Sequence, residues 1–187
     1  MTSEGLLSRV VAGIARTGDS GESPSQRSIL SQAATSYARK PQGAEQTIPT
    51  GFDPQAASLF EAVIEACFLV ANADGDFDEK ERQTFEQVVH EACQNTVQRS
   101  EVSALVSDLL DQLEEDGVAA RVHMIGRIVS SEAHALEVLR IAALMAYVSG
   151  GVDATERAVM DQLAAAFSLP ASAVADAIEQ ATTALAS

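Results

Sequence analysis

NADGDFDEKER, residues 72–82, decides how this chain reads. It sets Asp74, Asp76, Asp78 and Glu81 within eight residues, directly after an apolar run. Gly75 suits the left-handed backbone that ends a helix. Asp78 suits an N-cap, where a carboxylate accepts from the first free amides of the next helix, and Glu81 stands three residues on, as a capping box requires. Phe77, between them, is an apolar plug expected to point into a core. The stretch therefore predicts two helices joined by a tight turn. Neither cap needs Asp74 or Asp76. Four carboxylates around one turn repel one another, and a hard cation with oxygen ligands relieves that repulsion. An EF-hand is excluded: the opening Asp-x-Asp-x-Asp matches, but Glu79 stands where the loop needs Gly and Phe85 where it needs its last acid.

A shift of 75 residues lays 68–92 over 143–167. Gly75 meets Gly150, Phe77 meets Val152, Asp78 meets Asp153, and Glu81-Arg82 meets Glu156-Arg157. The turn chemistry coincides, which points to a duplicated helical hairpin. Apolar periodicity predicts seven helices in the domain that contains both copies, near 54–73, 79–95, 100–115, 118–130, 132–148, 154–167 and 170–185. Gly117 should end the third. The fifth, apolar nearly all round, should be the most buried. No segment alternates as a strand would, so the expected fold is all-α: a compact bundle built on two pseudo-symmetric hairpins.

The quoted turn resembles the signature of the tellurite-resistance TerB-like family, whose hairpins carry Ala-Asp-Gly, a spaced apolar residue, then an acid and a Glu. The resemblance covers residues 54–185 and is specific at 73–81. It implies an all-helical domain of about seven helices with a duplicated hairpin, and divalent-metal binding at Asp74, Asp78 and Glu81. Asp153 and Glu156 match in the second copy, where Ser149 replaces the first Asp. Roles proposed for the family include stress response, metal sensing and scaffolding at membranes.

Charge divides the 187 residues unevenly. Residues 1–51 hold five Lys/Arg and four Asp/Glu, whereas 52–187 hold seven and 23, a net of −16. So acidic a body repels phosphate backbones, so no nucleic-acid partner is expected. Two cysteines, Cys67 and Cys93, are too few for a disulfide scaffold and fit a cytoplasmic setting. No apolar run reads as a membrane span, and the first residues do not read as a secretory signal.

Before the domain, residues 1–16 carry Leu6, Leu7, Val10, Val11 and Ile14 at helical spacing. Residues 17–51, rich in Gly, Ser, Pro and Gln, read as a flexible linker with a transient helix at 29–39. The amphipathic segment is either a helix packed on its own body or a tethered peptide that docks a protein partner. The long linker favours the partner, and two arginines support a membrane surface only weakly.

No catalytic constellation appears. His90, Cys93 and Cys67 sketch a zinc site without a fourth ligand, and the Glu-x-x-His pairs of a carboxylate metal enzyme are missing, since Gln87, Ala120 and Ser131 precede His90, His123 and His134 by three. The expected function is a non-enzymatic, divalent-metal-binding interaction module, with calcium as one candidate ion. The alternative is a metal-free adaptor or cargo protein docked through its N-terminal peptide.

Overall fold

Pro54 occupies the first turn of the central helix, where its missing N–H costs nothing, and Asp53 caps that turn by accepting from the Gln55 amide at 2.9 Å. The helix that follows, α3 (Pro54–Ala71), buries nearly every side chain from Ala62 to Val70. A computed structural model describes residues 3–16, 27–41 and 51–186. Among them the helices are α1 (Ser3–Ala15), α2 (Ile29–Tyr37), α3, α4 (Glu79–Ala92), α5 (Arg99–Asp116), α6 (Val118–Ile128), α7 (Glu132–Ala146), α8 (Ala154–Ala166) and α9 (Ala173–Ala186). No strand occurs among the described residues; one isolated antiparallel bridge joins Arg16 and Arg27. The fold is all-α.

α3 and α7 form the centre. α7 is buried without a break from Val138 to Ala146, as its apolar sequence predicts. α3 packs on α2, α5, α6, α7 and α8, and α7 packs on α9. The seven helices expected between residues 54 and 185 correspond to α3–α9, and Gly117 ends α5. By length and mean hydropathy (1.4) α3 qualifies as a membrane span, contrary to the expectation that no apolar run would, but 61% of it lies inside the protein, so the core accounts for its apolarity.

Two expectations change. Residues 29–37, assigned to the linker, are a packed helix: Ile29, Leu30, Ala33, Ala34 and Tyr37 are buried, and the Tyr37 and Phe60 rings lie 4.5 Å apart. Its stripe is short, and two of its five apolar residues, Ala33 and Ala34, bury little area, so it stands out poorly between polar flanks. The rest of the linker, at 17–26 and 42–50, lies outside the described residues. The second change concerns the N-terminal segment. Val10 and Ile14 are fully buried on the protein's own core, and Leu6, Leu7 and Val11 pack against it. The stripe expected to meet a partner meets α4, α7 and α9 instead.

Candidate cation site at the first acidic turn

α3 and α4 meet at the quoted turn. Gly75 has φ +80°, a conformation that strains any residue with a side chain, and its amide donates to the Asn72 carbonyl at 3.0 Å. Asp78 Oδ1 accepts from the Glu81 amide at 2.8 Å, and Glu81 Oε2 accepts in return from the Asp78 amide at 3.1 Å, completing the capping box. Phe77 turns inward and meets Phe68 and Phe85 edge to face, with ring centroids 5.4 and 5.9 Å away. These aromatic contacts fix where the acidic turn sits relative to the core.

The second turn, between α7 and α8, is built alike. Gly150 has φ +129°. Asp153 Oδ1 accepts from the Glu156 amide at 2.9 Å and from both the amide and hydroxyl of Thr155, while Glu156 Oε2 accepts from the Asp153 amide at 2.9 Å. The Thr155 hydroxyl first, and then the Glu156 amide, hold the Asp153 carboxyl below the usual range. Glu156 is pushed the other way. Burial is the main cause, and the charges of Asp153 and of Asp74 add to it. Asp74 belongs to the first turn, so an acid of one turn contributes, as the smallest of these causes, to the shift of an acid of the other.

Each predicted ligand has a definite place. Asp74, left without a structural task by the sequence, has one: its Oδ1 accepts from the Asp76 amide at 3.0 Å, an Asx turn that tightens the loop. Asp76 is exposed, and its carboxylate takes no hydrogen bond among the described residues. Asp74, Asp78 and Glu81 thus each hold one oxygen on a backbone amide and keep the other free. Among the described residues no three His, Cys, Asp or Glu side chains converge on one point at metal-binding distance. The donor chemistry fits a hard cation, since every candidate ligand is a carboxylate oxygen, but the arrangement is an open rim rather than a closed cage. Beside it lies a cavity of about 320 Å³ with Phe77, Phe85, Met145 and Val148 in its wall and Asp78, Lys80 and Glu81 at its edge.

The zinc sketch finds no support. His90 Nδ1 lies 2.9 Å from the Val97 carbonyl, and both thiols are buried, which pushes each up to about 12. The sequence reading also missed three charged networks. Arg121 bonds to buried Glu65 and to Asp116, tying α6 to α3. Arg82 bonds to Glu86 and to Ser103 and Ser107, tying α4 to α5. Arg140 and Glu137 face the N-terminal helices. The signal available was a charge inside an apolar run, as with Glu65 in α3 and Arg140 in α7.

Searches for similar curated proteins and for similar solved structures find no match. The model of one family, described as tellurite resistance protein TerB, matches residues 60–181, which run from the middle of α3 into α9 and include both acidic turns. The chain belongs to the TerB family.

Proposed function

We propose that the protein is a non-enzymatic interaction module, working in the cytoplasm, whose paired acidic turns bind a divalent cation, with calcium the natural ion. The observation that carries this reading is the rim of acids at the first turn: Asp74, Asp78 and Glu81 each commit one oxygen to a backbone amide, Asp76 commits none among the described residues, and Glu156 of the second turn, raised chiefly by burial, feels Asp74 as a minor further cause. A cation between the turns would neutralise charges that the fold holds together at a cost. Asp74 and Asp76 would hold it with the free oxygens of Asp78 and Glu81, and Glu156 would approach from the second turn. Asp153, whose oxygen is occupied by three hydrogen bonds, is better suited to capping. The cation's contribution is charge neutralisation and stiffening of the turn, a change a partner protein can read in a stress or metal response.

Calorimetric titration with calcium, and separately with zinc, tests the reading. Calcium should give heat and a thermal shift, and Asp74→Ala should abolish both. The metal half of the proposal fails if neither ion gives heat or a thermal shift at millimolar concentration. The adaptor alternative requires α1 to leave its seat, because its apolar stripe faces inward.

A further inference from the structure

α1 lies outside the family-matched residues 60–181, yet its seat is formed by α4, α7 and α9. That seat recognises a helix as well as its apolar side chains. At Gly13 a Cβ would stand 3.2 Å from the Leu144 side chain, so the two helices approach closely where α1 has no side chain. Arg140, 3% exposed on α7, donates from Nη1 to the Gly13 carbonyl at 2.9 Å and from Nη2 to the Arg16 carbonyl. These carbonyls lie at the end of α1, where helical partners run out. Arg9 of α1 donates in turn to the Leu185 carbonyl at the end of α9, at 2.8 Å. Two guanidiniums therefore each hold the C-terminal end of a neighbouring helix, Arg140 that of α1 and Arg9 that of α9, where the helix dipole favours a cation.

Arg140 has no other evident task. Among the described residues its Nε is buried without a partner, and the carboxylate it pairs with, Glu137, lies 3.8 Å away with an oxygen already accepting from the Ile29 amide at the start of α2. A buried cation facing a helix end, in a groove floored by apolar side chains, matches both the free carbonyls and the apolar face of an amphipathic helix. The present occupant is held by its seat, because an isolated helix of 13 residues is marginal in water.

We infer that the groove between α4, α7 and α9 is an exchangeable helix-binding site, filled in cis by α1 and open to a partner's amphipathic helix of the same pattern once α1 leaves. The partner helix carries the Val10–Gly13–Ile14 pattern, with a small residue between two apolar ones on one face, and an uncapped C-terminus for Arg140. A basic residue one position before that pattern serves the end of α9 as Arg9 does, and the net charge of −16 over residues 52–187 favours a basic helix.

The probe is a fluorescent peptide of residues 3–16 added to the full chain and followed by anisotropy. Val10→Asp in the chain, but not in the peptide, should expel α1 and tighten peptide binding at least tenfold over the unmodified chain. Adding Arg140→Met to that chain should reverse the gain at least tenfold, and a peptide carrying Val10→Asp should not bind. Hydrogen exchange on the V10D chain should rise in α1 and leave α3 and α7 protected. The inference is overturned if the V10D chain stays folded yet binds the peptide no better, or if the mutant peptide binds equally. Loss of protection in α3 and α7 together with α1 would also overturn it, because α1 would then be part of the core and not an exchangeable occupant.

Discussion

Asp76 and Asp78 stand two residues apart in one turn, and the structure gives them opposite tasks. Asp78 accepts from the Glu81 amide at 2.8 Å and so satisfies a helix-end donor. Removing such a cap costs about 1 kcal/mol, which for a chain of this size lowers Tm by about 2–4 °C. Asp76 accepts nothing among the described residues, so Asp76→Ala removes only a repelling charge and should leave stability within about 0.5 kcal/mol of the parent without metal. Calcium reverses the ranking. At ten times its Kd, calcium stabilises the parent by about 1.4 kcal/mol, or about 3–6 °C. Asp76→Ala should lose most of that gain. The assay is thermal unfolding by circular dichroism for the parent and both variants, with EDTA and with a calcium series. An unchanged Tm for Asp78→Ala in EDTA would refute the capping assignment. An undiminished calcium gain in Asp76→Ala would refute the role given to the uncapped acid.

Arg121→Met should destabilise by about 2–4 kcal/mol in urea unfolding, because it leaves the Glu65 carboxylate buried and unpaired, whereas pairing it with Glu65→Leu should return stability to within about 1 kcal/mol of the parent. Glu156→Gln should stabilise the metal-free protein at neutral pH. The folded-state pKa of Glu156 is raised, so the folded form binds its proton more tightly, and the stability this provides is complete below the ordinary value of 4.5 and lost as pH rises through the folded value. The variant should therefore gain over the parent as pH climbs through that window and match it below, as read by urea midpoints across a pH series. Cys67 and Cys93, buried with thiols pushed up to about 12, should resist a thiol reagent at pH 8 in the native state and react fully in urea.

What the sequence revealed was local chemistry. Gly75, Asp78 and Glu81 announce the capped turn between two helices because each acts on atoms three or fewer residues away, and the same holds for Asp153 and Glu156. The apolar runs of α3 and α7 announce the core because burial on all faces leaves no polar side to disguise them. What stayed hidden depends on distant partners. α2 is packed because Tyr37 finds Phe60 and the Ser31 hydroxyl finds the Ala92 carbonyl, contacts that no local pattern encodes. The stripe of α1 was legible, but its destination was not, since an amphipathic helix looks the same whether it covers its own core or another protein. Asp74 has a local task that its spacing encodes, since an Asx turn needs only the amide two residues on, but the same spacing also fits a cation ligand.

The open arrangement of the turn bears on what a cation could do there. Affinity in oxygen-ligand sites rises with the number of charged ligands and the rigidity with which they are held. In this turn the rigid carboxylates are the ones already bonded to amides, and the uncommitted one, Asp76, is exposed and unrestrained. The more firmly an acid is placed, the fewer of its oxygens remain for a metal. Such a site, on the proposed reading, binds weakly and fills only when the ion is abundant, which suits response rather than storage. Glu156 adds a second condition. Its pKa is raised, chiefly by burial, so as pH falls it takes up a proton sooner than an ordinary carboxylate, and in that range a cation must displace the proton to gain its full charge. Cation affinity should therefore rise with pH through the titration of Glu156, and Glu156→Gln should remove that dependence while leaving Asp74 and Asp76 in place.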